Sequence, residues 1–284
     1  MVTYPFVKIN LGLDVLRKRE DGYHDLETLF VPYHDIHDTL EIIEADGYGS
    51  TVARLQAAYD PSAGQVVQAV SDDARVMVTV ARKEGVDWNP LDDLTVRAYR
   101  LLEQDFSLGP VKIFLEKGSP VGAGLGGGSA DAAFALRMLS GIFSLNLTDD
   151  VLSGYAARLG SDCAFFLYDR PMFGTGRGEI LSEYDLPADF HEKYEIKVVV
   201  PEGISVSTAD AYKGIEPSVP SVPLAERLSM PVEMWKDHIT NSLEKTVFRK
   251  YPLLQEIKRS LYDTGAVYAS MSGSGSAFFA IYPL

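Results

Sequence analysis

From Pro120 to Asp131 the chain reads Pro120-Val121-Gly122-Ala123-Gly124-Leu125-Gly126-Gly127-Gly128-Ser129-Ala130-Asp131, with five glycines in the seven residues Gly122 to Gly128. Without Cβ atoms such a backbone can approach a ligand closely and turn successive N–H groups toward it. A helix that starts at once afterwards offers the positive end of its dipole to an anion. The spacing therefore predicts a phosphate cradle. It is not a Walker A loop, because no Lys-Ser/Thr follows the glycines. Gly122 to Gly127 satisfies much of the dinucleotide pattern Gly-x-Gly-x-x-Gly, a match that is weak on its own. A flexible linker is the competing reading, but linkers rarely abut an Ala-rich helix so tightly.

Three further groups could do chemistry. Lys8 and Asn10 are two residues apart in an alternating stretch, so a strand there points both side chains to one face. Asp162 precedes the apolar run Cys163-Ala164-Phe165-Phe166-Leu167, where partial desolvation and a nearby Lys would leave an ionised carboxylate ready to accept a proton. Taken alone, Lys8 reads as a solvated strand residue and Asp162 as a cap. Asp21-Gly22-Tyr23-His24 places two rings after a tight turn, where they could clasp a planar ligand or sit idle at a hairpin tip. His34 and His37 have metal-like spacing, but a strand would splay them to opposite faces, and no metal ligand is assigned.

Composition narrows the class. The 284 residues are 46% hydrophobic and 23% charged, which suits one large or two closely packed domains. With 26 basic and 40 acidic residues the net charge is −14, a surface that repels nucleic acid and requires cations and N–H groups to be concentrated wherever an anion binds. The single cysteine, Cys163, reads as a buried apolar residue and fits a reducing cytoplasm. The start lacks a signal pattern, and no stretch approaches the roughly 18 apolar residues of a membrane span.

The elements that must position these groups are strands at Val7 to Val15, Val76 to Val80, Val111 to Leu115 and Ile196 to Val200, and helices over Leu91 to Leu102 and Ala130 to Phe143. Asp21-Gly22 reads as a hairpin turn. Thr148-Asp149-Asp150 caps a helix that runs to Gly160. Helical patterns follow from Ala225 to Met230 and from Trp235 to Tyr262, the latter interrupted by Pro252. Two last strands flank Ser272-Gly273-Ser274-Gly275-Ser276. Residues 45–75 have weak periodicity and no assignment in their middle. The mixture is α+β or α/β.

Lys8-Ile9-Asn10-Leu11, Asp21-Gly22-Tyr23-His24, Pro120 to Asp131, Gly160-Ser161-Asp162 and Ser272-Gly273-Ser274-Gly275 stand in the order seen in GHMP kinases, a family the chain resembles from residue 6 to 281. The Asp-Gly-Tyr-His turn narrows the resemblance to members that phosphorylate a CDP-linked methylerythritol in the non-mevalonate route to isoprenoid precursors. Homoserine, mevalonate and galactose kinases generally lack that turn. The resemblance implies a two-domain α+β fold: an ATP-binding part over 1–155 like domain 2 of ribosomal protein S5, a ferredoxin-like α/β sandwich over 156–284, and a substrate cleft between them.

It also implies roles. Asp162 and Lys8 would be catalytic, Asp162 accepting the hydroxyl proton and Lys8 lying beside it, countering charge on the transferring group. Pro120 to Ala130 would wrap the ATP phosphates, with Ser129 near them or near Mg²⁺. Asn10, Tyr23, His24, Thr208, Tyr212, Gly273 and Gly275 would face the substrate, Tyr212 stacking on cytosine. The partners would be ATP and a CDP-linked polyol, acted on by a cytoplasmic monomer or homodimer. Another GHMP-type kinase, or a non-catalytic nucleotide-binding regulator on the same fold, are the alternatives. Three departures from the family pattern stand out: Asp93-Leu94 in place of Asn-Leu, a longer stretch at 45–75, and Ser119 where an apolar residue is usual.

Overall fold

The alternating stretch after Tyr4 is extended: β1 (Val2–Thr3) is followed by β2 (Phe6–Lys18), and the turn at Asp21-Gly22 returns the chain as β3 (His24–His37). Gly22 has φ +85°, and the turn is closed by Arg19 N–H donating to Tyr23 O at 2.8 Å. The computed structural model describes residues 1–45 and 65–284, so most of the unassigned stretch at 45–75 lies outside the described residues.

The described chain divides into two compact units that interleave along the sequence. Met1–Val7, His34–Ser119 and Gly127–Tyr168 form one; Lys8–Tyr33, Pro120–Gly126 and Asp169–Leu284 form the other. A single boundary near residue 155 does not describe these units. The backbone of β2 finds partners late in the chain, Leu13 N–H donating to Thr240 O at 3.0 Å and Leu13 O accepting from Ser242 N–H at 2.8 Å. β3 likewise pairs with β8 (Met172–Thr175), Thr28 opposite Gly174. Backbone polar groups must be paired, and these pairings draw the first hairpin into the unit built mainly from the second half.

The first unit holds a sheet in the order β1-β4-β7-β6-β5, made with β4 (Thr39–Glu44), β5 (Gln65–Val70), β6 (Val76–Arg82) and β7 (Val111–Lys117). β6 and β7 are parallel, Val78 opposite Ile113, and the connection between them carries helix α1 (Leu94–Glu103). Parallel neighbours need such a crossover. α2 (Gly127–Ile142) packs on α1 and on β4; its Ala130, Ala132, Ala133, Ala135, Leu136 and Leu139 are all buried, as expected of a helix apolar on most sides. It begins three residues earlier than the Ala-rich pattern, inside the glycine run. α3 (Asp149–Leu159) has Thr148 as N-cap and Gly160 as C-cap, as the sequence predicts.

In the second unit the strand order is β2-β3-β8-β9, with β9 (Ile180–Glu183) beside β8, and a further sheet has the order β10-β12-β11. β10 (Tyr194–Val199), β11 (Tyr268–Met271) and β12 (Phe278–Pro283) are antiparallel, Ile281 facing both Ile196 and Tyr268. Helices α4 (Glu244–Lys250) and α5 (Pro252–Asp263) share a core with this sheet through Leu243, Val247, Leu254, Leu261, Met271 and Phe278. The helical pattern from Trp235 to Tyr262 is cut twice rather than once. Pro252 starts α5, and residues 239–243 leave the helix because Thr240 and Ser242 use their backbone groups on β2.

Candidate functional site

In the second unit, two glycine loops and one face of β2 meet. Lys8 and Asn10 do share a face, and both are buried: each is 2% exposed. The reading of Lys8 as a solvated strand residue is overturned. Its ammonium donates to Asn10 Oδ1 and, at 2.8 Å, to Gly124 O. Asn10 is held in turn by Nδ2 donating to Thr28 Oγ1 at 3.0 Å, and Thr28 Oγ1 donates to Gly12 O at 2.6 Å. The chain of bonds fixes a cation in a buried setting where its field is little screened.

The glycines there answer to close approach. Gly122, Gly124 and Gly126 have φ of +71°, +77° and +77°. A Cβ on Gly124 would overlap Ser272 O and stand 2.8 Å from Gly275 N, while one on Gly273 would stand 3.1 Å from Asn10 Oδ1 and 3.2 Å from Lys8 Nζ. Ser272 Oγ donates to Gly124 O at 3.0 Å, and Ala277 N–H to Ala123 O at 3.0 Å. The second loop is held from behind by Asn241, whose Nδ2 donates to Met271 O and Gly273 O, both at 2.8 Å. So Gly273 and Gly275, expected near the substrate, lie directly against the Lys8 side of the first loop.

The aromatic turn belongs to the same unit. His24 stacks on Tyr212, ring centroids 5.1 Å apart at 27°, and Arg177 lies over the Tyr23 ring at 4.9 Å. Tyr23 is 55% exposed. Burial, with the charge of Lys18 adding to it, holds the His24 imidazole below its ordinary value of 6.5. Thr208 opens a short helix, Thr208–Tyr212, and its Oγ1 is 3.4 Å from Ser274 Oγ.

In the first unit, α2 starts directly after the glycine loop, and Ser129 in its first turn is hydrogen-bonded with the Cys163 thiol. Cys163 is fully buried, and burial pushes its thiol up to about 12. This sets the residue after Asp162 against the N-terminal turn of α2. Asp162 precedes the tight turn Cys163–Leu167, whose five side chains are buried, and makes no side-chain capping bond there. The reading of Asp162 as a cap is not realised by its side chain. Asp93, in place of the usual Asn, caps α1 by accepting from Thr95 N–H at 2.9 Å.

Residues 93–170 match the model of the GHMP kinase N-terminal domain and residues 229–284 that of the GHMP kinase C-terminal domain. A 4-diphosphocytidyl-2-C-methyl-D-erythritol kinase of Bacteroides fragilis is 43% identical over 282 residues, covering 99% of this chain and 92% of that protein. The chain belongs to the GHMP kinase family. A crystal structure of 4-(cytidine 5'-diphospho)-2C-methyl-D-erythritol kinase superposes on this GHMP kinase with TM-score 0.73 at 32% identity, covering 99% of this chain and 89% of that one. Phosphomevalonate kinase of Streptococcus pneumoniae, at 15% identity and TM-score 0.64 over 99% of this chain and 91% of its own, shares the fold. The expected two-domain α+β kinase fold is thereby realised, and ATP is the phosphate donor this family implies.

Sequence reasoning missed three side chains that brace the loops and the aromatic turn of the second unit: Thr28, Asn241 and Arg177. Thr28 is buried on β3 among apolar residues, and a polar side chain in such a run was the one available signal. Asn241 left no periodic trace. Among the described residues no group of three or more His, Cys, Asp or Glu is arranged to hold a metal ion, and no helix is long and apolar enough to cross a membrane.

Proposed function

We propose that this GHMP kinase transfers the γ-phosphoryl group of ATP to the 2-hydroxyl of 4-diphosphocytidyl-2-C-methyl-D-erythritol. The observation that carries the reading is the buried Lys8 ammonium, fixed by Asn10 and Gly124 where two glycine loops meet. A desolvated, immobile cation beside backbone bent for close approach is suited to a group whose charge is redistributed during transfer. The relatives' names supply the acceptor, and the Tyr23-His24 turn with Tyr212 supports it. An exposed tyrosine ring can stack on a pyrimidine, and an uncharged His24 keeps both a donor and an acceptor for the edge of a neutral base. Thr208, Gly273 and Gly275 complete the substrate side in this reading.

In the transfer, the substrate oxygen forms its bond to the γ-phosphorus as the bond to the β–γ bridging oxygen breaks, releasing ADP. Asp162 takes the hydroxyl proton. Lys8 holds the substrate oxygen and counters charge on the γ-phosphoryl group. Asn10 orients Lys8, since its Oδ1 accepts from the ammonium. Pro120 to Ala130 receives the triphosphate, the positive-φ glycines and the N-terminus of α2 fitting that anion. Mg²⁺ accompanying ATP would neutralise phosphate charge, and the Ser129 hydroxyl in the first turn of α2 would lie near the phosphates or the ion. The acceptor and donor are soluble metabolites, so the reading is of a cytoplasmic enzyme, monomeric or homodimeric, without membrane or nucleic-acid partners.

The test is ADP release by the purified protein with MgATP and the cytidyl substrate, beside homoserine, mevalonate, galactose and no-acceptor controls. Turnover with the cytidyl substrate alone, abolished in Asp162→Asn with ATP affinity retained, is the expected result. Turnover on another alcohol would reassign the acceptor, normal turnover in Asp162→Asn would remove the base, and ATP binding without any turnover would make the protein a regulator.

A further inference from the structure

Four side chains at the two ends of the first glycine loop have no part in the chemistry above. Lys117, the last residue of β7, has a side chain only 3% exposed, and its ammonium lies between two carboxylates, donating to Asp131 Oδ2 at 2.6 Å and to Asp38 Oδ2. Asp38, which is fully buried, also accepts twice from Ser119: from its N–H at 2.6 Å and from its hydroxyl at 2.8 Å. Asp38 is itself anchored by its N–H donating to Pro5 O at 2.9 Å. Ser119 is the residue before the loop. Gly127 is the residue after it, packed so closely that a Cβ would overlap Ser119 Oγ and stand 3.4 Å from Asp38 Oδ2.

This network is a poor device for stability. Each buried ion loses several kcal/mol of hydration, and well-packed apolar residues of similar size often serve a core as well or better. Two carboxylates share one ammonium, and Asp131 Oδ1 is buried with no hydrogen-bond partner. Burial pushes the Asp131 carboxyl well above the usual range, against the pull of Lys117. What the arrangement does achieve is geometric: one carboxylate, Asp38, ties the residue entering the loop to the strand end and, through Lys117 and Asp131, to the helix that leaves it.

We infer that Asp38 is a positioning residue for phosphoryl transfer, holding both ends of the glycine loop at the spacing in which its backbone receives ATP. The inference rests on reading that loop as the ATP cradle. Asp38 touches no reacting atom; it acts through Ser119, Lys117 and Asp131. The two ends of the loop are thus set by a side chain that lies 81 residues before Ser119 in the chain.

The test compares Asp38→Asn and Ser119→Ala with the wild type and with Val78→Ala, a core truncation in β6 of the same unit. ATP affinity is measured by calorimetry without acceptor, KM for ATP and for the acceptor under turnover, and amide hydrogen exchange over 121–127. Asp38→Asn should weaken ATP binding at least tenfold and speed exchange in the loop, with the acceptor KM changed far less; Ser119→Ala should do the same to a smaller degree. Val78→Ala should lose thermal stability with ATP affinity intact. If Asp38→Asn folds and binds ATP as tightly as the wild type, or weakens only in step with the stability lost in Val78→Ala, the inference is wrong. Should Asp38→Asn fail to fold, Ser119→Ala decides it by the same two readouts. Wild-type protein that binds no ATP would overturn the cradle reading itself, whereas wild-type binding with indifferent variants overturns the positioning role alone.

Discussion

A lysine kept at 2% exposure must be held by acceptors or lose its charge, and Lys8 is held by Asn10 Oδ1 and Gly124 O. Lys8→Met keeps the length of the side chain and removes the donor. If Lys8 acts mainly on charge that moves during transfer, kcat should fall by about 10²- to 10³-fold, the size of losing one preorganised donor, with KM for ATP little changed. The two orphaned acceptors should also lower stability by about 1–3 kcal/mol, read as a lower denaturation midpoint at unchanged slope. A loss confined to KM would make Lys8 a ground-state binder instead. His24 gives a prediction in pH. Its imidazole is held below 6.5 first by burial and then by Lys18, so the folded state disfavours the proton relative to the unfolded chain. The sign follows: the stability present above pH 6.5 is eroded as pH falls through that value, because the unfolded chain takes up the proton first. An NMR titration should place the His24 midpoint below 6.5, and Lys18→Met should raise it only part of the way back, since burial is the larger cause. A midpoint at or above 6.5 would mean the ring is more open to water than the packing on Tyr212 allows.

At the level of elements, the same substitution should have opposite signs in two glycines. Gly124 has φ +77° and a Cβ there would overlap Ser272 O, backbone that Asn241 holds in place from the other side. Gly124→Ala should cost about 1–3 kcal/mol for the backbone conformation alone, and the displaced loop should lose ATP. Gly154 lies within α3 with nothing near its Cβ position, so Gly154→Ala should stabilise by roughly 0.5–1 kcal/mol and leave activity unchanged. Thermal melts with ATP titrations of the two variants check both halves; a Gly124→Ala protein that binds ATP normally would detach the loop from the nucleotide. That the glycine run carries such weight was legible, because its composition, the strand before it and the helix after it are all local features. So were the Thr148 cap and the turn at Gly22. What was not legible is the pairing across sequence distance: Lys8 meets Gly124 116 residues away, and Asn10 meets Ser272 262 residues away. No periodicity encodes such meetings. β8 and β9 escaped for another reason, being four residues each, too short for alternation to show.

For the whole molecule, the route of the chain sets what can fold alone. The backbone passes from one compact unit to the other five times, after Val7, Tyr33, Ser119, Gly126 and Tyr168. A cut at 155/156, where a conventional two-domain reading would place it, completes neither unit. The fragment 1–155 would keep β2 and β3 but lose the β8 partner of β3 and the Thr240 and Ser242 partners of β2, leaving long strands with open edges. It would also lose Phe165 and Phe166, fully buried in the first unit, with Phe166 at 5.6 Å from the Phe6 ring. The fragment 156–284 would retain the sheet β10-β12-β11 with α4 and α5 but lack Leu13 and Val15, which belong to the same core. Each piece therefore buries too little apolar surface, and leaves too many backbone groups unpaired, to offset the entropy of ordering its chain. Expressed separately, both should be insoluble or lack a cooperative thermal transition, while the full chain melts cooperatively. Co-expression should recover some soluble kinase, because every lost partner is then supplied in trans. If either fragment alone melts cooperatively with dispersed NMR signals, the interleaved strands are not what holds that unit together.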